Sequence, residues 1–186
     1  MVNAVFCGVK SPLRLVRSTK ARPLMLQHIL HVYTLNLGIT KRLVNDLADD
    51  QMCAQPHGVV NHPAWSLGHL AVAADHAGKL LGLSSDLPAG WEETFKTGGI
   101  PSPDRTLFPR KDELLRVITQ QHARNAQGLS EVDPAALAQP HPNEKSRGHF
   151  PTVGDFVVFL MTAHEMDHLG QIAAWRRAMG LGAAAV

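Results

Sequence analysis

The sequence predicts an all-α domain, a four-helix bundle with long connections, and three observations carry that expectation. Apolar residues recur at three- and four-residue intervals in four separate stretches, the spacing that lines one face of a helix. Segments rich in proline and glycine divide the later stretches, and no stretch alternates apolar and polar residues as a half-buried strand does. At 186 residues the chain is long enough for one domain to bury a core without disulfides or a structural metal.

The first helix is expected from about Pro23 to Leu47, where Leu26, Leu30, Tyr33, Leu37, Val44 and Leu47 share a face, and a polar stretch from Asp49 to Gly58 follows it. Asn61 or His62 then caps a second helix, with Pro63 in the first turn where a missing N–H costs nothing, and Gly82 closes it. Residues 82–109 hold four prolines and no sustained period, which marks a long connection of the kind that crosses between bundle helices or serves function. Trp91, Phe95 and Phe108 are expected to pin that connection, and Trp91 and Phe95 to supply apolar walls to a pocket. A third helix is read from about Pro109 to Leu129, with Leu114, Ile118, Ala126 and Leu129 on its buried stripe. Pro134, Pro140, Pro142 and Pro151 punctuate a second connection at 130–151. Thr152-Val153-Gly154-Asp155 is a capping box with Asp in place of Glu, and it opens a last helix read as continuous through Phe156, Leu160, His164, His168 and Trp175 to Gly180.

Composition narrows the functional classes. The chain is 45% hydrophobic and 18% charged, ordinary for a globular protein. No apolar run approaches the roughly 20 residues that cross a bilayer, so no membrane role is expected. Cys7 and Cys53 are too few for a disulfide scaffold and neither sits in a C-x-x-C pair, which points to a reducing, cytoplasmic compartment. The net charge of +2 is unevenly spread: Lys10, Arg14, Arg17, Lys20 and Arg22 precede the first acidic residue, Asp46, and without them 13 basic residues face 16 acidic ones. Residues 1–22 therefore read as a basic, peripheral N-terminal extension to a domain at 23–182. The body has no basic stripe with interleaved aromatics, so no nucleic acid is expected as a partner. A small-molecule substrate and a second copy of the chain, as a homodimer, are the partners expected.

Chemistry is concentrated in the histidines. In His164-Glu165-Met166-Asp167-His168 two histidines four residues apart stack on one helix face, where they can grip one metal ion. The string also matches H-E-x-x-H of zinc metalloproteases, but the tail from Leu169 to Val186 holds no His, Asp or Glu, so a third ligand has to come from upstream. A di-iron bundle is disfavoured too, because Glu165-x-x-His168 is the only E-x-x-H in the chain and that architecture uses two. The upstream candidate is His69, which shares the inward face of the second helix with Trp65, Val72 and Leu80. A core histidine satisfied by a hydrogen bond is the competing reading of that residue. His62, His69 and His76 recur at intervals of seven, yet neighbours in that row lie about 10 Å apart along a helix, whereas a ligand atom sits about 2 Å from its metal. At most one of the three binds a given ion, and His62 belongs to the helix start. His28, His31, His57, His122, His141 and His149 lack partners at ligand spacing and read as surface or core residues.

These residues resemble the DinB superfamily, the damage-inducible and YfiT-like metal-dependent four-helix bundles. The resemblance covers about Met25 to Gly182. It rests on Asn61-His62-Pro63-Ala64-Trp65-Ser66-Leu67-Gly68-His69-Leu70, on the Thr152-Val153-Gly154-Asp155 opening, and on His164-Glu165-Met166-Asp167-His168-Leu169-Gly170-Gln171-Ile172 followed by Arg176-Arg177 and Gly180. It implies one divalent metal held by a histidine of the second helix and two of the fourth, His69, His164 and His168. It implies as well a range of activities that includes thiol-dependent transferases and isomerases using mycothiol, bacillithiol or glutathione. Imidazole suits several metals; zinc or nickel comes first, with iron, copper and manganese open.

Three neutral imidazoles leave an ion with open positions, as in catalytic rather than structural sites. The expected chemistry is activation of water or of a small thiol, in a metal-dependent hydrolase or a thiol S-transferase. Glu165 is the candidate general base, although one residue past His164 it points about 100° away. Asp167 and Gln171 lie within a turn of His168 and can orient it. The alternative is a non-catalytic bundle that keeps its metal as a sensor or a structural brace in a stress response.

Overall fold

The computed structural model describes residues 24–184, so the extension read at 1–22 and Cys7 lie outside the described residues. Regular structure among the described residues is helical: α1 spans Leu24–Val44, α2 Pro63–Leu80, α3 Trp91–Thr94, α4 Lys111–Glu131, α5 Pro134–Leu137, α6 Val153–Met161 and α7 Ala163–Ala178. One isolated bridge pairs Pro140 with Thr152, and there is no strand among the described residues. No described helix is long and apolar enough to cross a membrane.

The helix boundaries follow local chemistry. His62 caps α2: its Nδ1 accepts from the Trp65 amide at 3.2 Å, which leaves Nε2 to donate to the Ser102 carbonyl at 2.9 Å. Pro63 takes the first helical position. Lys41 and Arg42 sit in the last turn of α1, where cations offset the negative helix end. The capping box at the start of α6 is formed both ways, the Asp155 amide donating to Thr152 Oγ1 at 3.2 Å and the Thr152 amide to Asp155 Oδ2 at 2.9 Å.

Packing places α2 at the centre. It lies against α4, α6 and α7, while α1 packs on α4, α6 and α7. Leu67, Leu70, Leu114, Ile118, Ile172 and Trp175 form the heart of one apolar cluster, and Tyr33, Ala77, Leu129, Val157 and Met161 belong to a second. The histidine-bearing α2 and α7 therefore meet inside the fold.

The last helix differs from the expected single element. It is broken at Thr162 (φ −128°, ψ −78°), which separates α6 from α7. The Thr162 hydroxyl turns back to the Val158 carbonyl at 2.6 Å, and its amide bonds the Phe159 carbonyl at 3.3 Å, three residues back rather than four. The Asn36 amide group, from α1, donates to the carbonyls of Met161 and Thr162 at 3.5 and 3.3 Å. Phe159-Leu160-Met161-Thr162-Ala163 contains no proline or glycine, so local sequence carries no mark of the break.

The connection at 82–109 is tied down rather than loose. Arg105 donates to Asp49 Oδ1 at 2.7 Å and to the Pro109 carbonyl at 2.9 Å. Trp91 and Phe95, expected as pocket walls, instead belong to the core, packed edge to face with ring centroids 5.2 Å apart. Aromatic rings gain more from full burial than from lining a wet cleft. Phe95 reaches that depth because it lies over Gly68, where an added Cβ would collide with its ring. Gly68→Ala should therefore cost about 1–3 kcal/mol of stability through overpacking. Chemical denaturation checks this, and an unchanged midpoint would mean that Phe95 is free to move aside.

Candidate metal centre

α2 and α7 bring the three predicted histidines together. Ring centroids lie 5.2 Å apart for His69 and His164, 4.7 Å for His69 and His168, and 4.8 Å for His164 and His168. One ligand atom from each ring falls within 4.8 Å of the others, close enough for the three to hold one metal ion. No fourth His, Cys, Asp or Glu joins the group among the described residues. His69 and His168 are buried and His164 is partly buried.

Hydrogen bonding fixes how the first ring is presented. His69 Nδ1 lies 2.8 Å from the Phe95 carbonyl, which can only accept, so Nδ1 carries the proton and Nε2 turns its lone pair to the cluster. Nε2 of His69 and Nε2 of His164 lie 3.2 Å apart. Trp65 stacks on His69 with centroids 4.8 Å apart and planes within 8°. The Nδ1 atoms of His164 and His168 are buried and have no protein partner. Convergent neutral nitrogens, one of them steered by a backbone carbonyl from behind, are a donor set that fits a divalent cation.

Electrostatics favour the same protonation state. Burial, and then repulsion from His69, holds His164 and His168 down to about 4. Burial also lowers His69, with the Phe95 hydrogen bond pulling the other way. All three rings are therefore neutral near pH 7, the form that ligates metal. Beside His168, Asn61 Nδ2 donates to Gln171 Oε1 at 2.8 Å and Gln171 Nε2 to Asp167 Oδ2 at 3.0 Å, which ties this turn of α7 to the start of α2.

His69 and His164 open onto a cleft of about 110 Å³, lined also by Val72, Ala73, His76, Thr97, Phe156 and Leu160. His76, next in the row of seven, stands at the cleft and outside the metal cluster. The 82–109 connection contributes Thr97 to the lining, not Trp91 or Phe95. Roomier clefts beside Arg42 and between Arg42 and Arg177 contain no histidine.

Glu165 faces another way. Its carboxylate is 3% exposed and does not line the cleft. Oε2 accepts from Asn36 Nδ2 at 3.1 Å, and Oε1 lies 2.8 Å from His122 Nε2, at ion-pair distance but not aligned for a hydrogen bond. Burial pushes the Glu165 carboxyl upward, with His122 and Asn36 pulling it back. His122, read from the sequence as an ordinary surface or core residue, stacks on Tyr33 with centroids 3.8 Å apart. Asn36 was not singled out by the sequence at all. The available signal was a polar residue one turn after Tyr33 on the inward face of α1, where an amide is retained only if it has partners.

A family model described as the DinB superfamily matches residues 33–172, a span that includes all three histidines. A search of curated proteins finds no match.

The buried rings predict an acid-sensitive fold. The folded-state pKa values of His164 and His168, about 4, lie below the 6.5 of an unperturbed histidine. The unfolded chain thus binds more protons between those values, and stability is full above pH 6.5 and lost as pH falls toward about 4. Urea midpoints of metal-free protein across that interval should decline, and His164→Ala should flatten the decline. A flat wild-type profile would contradict the burial of these rings.

Proposed function

Because the chain belongs to the DinB superfamily, we propose that it is a four-helix bundle, with α6 and α7 together as the fourth helix, that holds one divalent ion on His69, His164 and His168 and acts as a metal-dependent enzyme on a small molecule. One observation carries this reading: three neutral imidazoles have ligand atoms within 4.8 Å of one another, and two of them, His69 and His164, border a cleft. Such a set leaves at least one coordination position free, where a structural site would use a fourth protein ligand. An ion held there would supply a Lewis acid that brings the pKa of a bound water to near neutrality and deprotonates a bound thiol. Imidazole suits zinc, nickel, copper and iron alike; this reading puts zinc or nickel first, with iron, copper and manganese after them.

The chain's own residues hold and screen the site. The Phe95 carbonyl keeps the His69 proton on Nδ1, and the Trp65 indole covers that ring. Val72, Ala73, Phe156 and Leu160 offer apolar contact in the cleft, with Thr97 and His76 as its polar points. No ionised carboxylate, lysine or arginine is among these lining residues, so the reading favours a compact, uncharged reacting group. Hydrolysis or transfer to a low-molecular-weight thiol fits such a group. A reducing, cytoplasmic setting would keep that thiol, and the free buried Cys53, in the reduced state.

Metal analysis of protein purified without a histidine tag should find one ion per chain, and His164→Ala should lose metal and turnover together. If Glu165 serves as the general base, Glu165→Gln should keep the metal and lower turnover. Stoichiometric metal with no turnover across thiol-transfer and hydrolytic panels would favour the sensor or structural alternative. Wild-type protein that takes up no divalent metal would overturn the site.

A further inference from the structure

The start of α7 is gripped by one side chain from α1. A helix break leaves carbonyls at the end of the first segment short of their usual amide partners. Asn36, 1% exposed, meets the break: its amide group, with two N–H donors shared among three acceptors, faces the Met161 carbonyl, the Thr162 carbonyl, which also accepts from the Met166 amide at 3.1 Å, and Glu165 Oε2. The same group therefore holds both sides of the break. The other carboxylate oxygen of Glu165 lies against His122 on α4, and His122 is stacked on Tyr33 of α1. Two elements, α1 and α4, thus converge on the one residue that follows His164.

We propose that Asn36, Glu165 and His122 form a latch that sets the start and rotation of α7 and so positions His164 and His168 against His69. The proposal rests on the metal-site reading above for its consequence, though not for its geometry. Each residue of a helix turns about 100°, so a slip of one residue at Thr162 would swing both histidines off the face that meets α2. Glu165 lies one residue after His164 and three before His168, so holding its carboxylate between α1 and α4 holds their direction too. Asn36 and Glu165 act as positioning residues in this proposal, and both lie outside the three-histidine cluster and the lining of the cleft.

A buried amide elsewhere in the same core separates positioning from plain stabilisation. Asn125 on α4 is 0% exposed and donates to the Ala74 carbonyl at 2.7 Å and to Tyr33 Oη at 3.3 Å, with no hydrogen bond to α6 or α7. Two readouts are needed on the metal-free full chain: Co²⁺ affinity, by competition with a chromophoric chelator, and the ¹⁵N-histidine ring resonances of His164 and His168 before any metal is added. Asn36→Ala should weaken Co²⁺ binding by about 10–100-fold and shift both ring resonances. Glu165→Ala opens the latch from its other side and should do the same, which keeps the test decisive if Asn36→Ala fails to fold. Glu165→Gln retains an oxygen to accept from Asn36 and should recover most of the affinity. Asn125→Ala should lower the melting temperature while leaving affinity and ring resonances in place. The latch is overturned if Asn36→Ala and Glu165→Ala leave the rings and the affinity unmoved, or if Asn125→Ala disturbs them equally. Should the wild-type chain take up no Co²⁺, the metal reading fails alone, and the ring resonances still decide the latch.

Discussion

Imidazoles sealed among apolar helix faces have to find partners for both ring nitrogens, because a buried polar group left unpaired costs on the order of 1–3 kcal/mol. Much of this structure answers to that constraint. His62 meets it as a helix cap, with the Trp65 amide on one nitrogen and the Ser102 carbonyl on the other. His122 meets it in part, by standing at ion-pair distance from Glu165 and stacking on Tyr33, while neither ring nitrogen has a hydrogen-bond partner. His69 has the Phe95 carbonyl behind it and His164 in front. His164 and His168 each keep a buried nitrogen with no protein partner. What distinguishes the cluster from a hydrogen-bonded core is convergence: ligand atoms of His69, His164 and His168 lie within 4.8 Å of one another, and His69 and His164 open onto a cleft.

The long connection between α2 and α4 does much of the supporting. It supplies the Ser102 carbonyl to His62, the Phe95 carbonyl to His69 and Thr97 to the cleft. Its position depends in turn on Gly68, whose missing side chain lets Phe95 lie against α2 one residue before His69. Local sequence thus sets a close approach, and the approach sets the tautomer of a candidate ligand.

α7 is fastened to α1 at both ends. At its start, Asn36 holds the break and the Glu165 carboxylate. Near its end, Arg176, almost fully buried, donates to the Leu43 carbonyl at 2.9 Å and to both oxygens of Asp46 at 2.6 and 2.8 Å, a geometry suited to the planar guanidinium. Hydrogen bonding from Arg176 also holds the Asp46 carboxyl below the usual carboxylate range. A helix with little apolar asymmetry of its own is oriented by these polar contacts as well as by packing of Leu169, Ile172 and Trp175.

The sequence alone determined whatever depends on neighbours along the chain. Helical spacing placed His164 and His168 on one face, Pro63 and the Thr152–Asp155 box marked two helix starts, and the seven-residue row allowed only one of His62, His69 and His76 at an ion. The inward face of α2 singled out His69, and the family resemblance named the same three ligands. Only the tertiary structure decided the break at Thr162, the burial of Trp91 and Phe95, and the turn of Glu165 toward His122 and Asn36. The division has a physical cause. Periodicity and capping act over a few residues and leave their mark in residue type, whereas the Phe95 carbonyl on His69 and the Asn36 amide on Met161 and Thr162 join backbone and side-chain groups 26 and about 125 residues apart. A carbonyl belongs to every residue alike, so which one meets an imidazole or an amide is settled by packing.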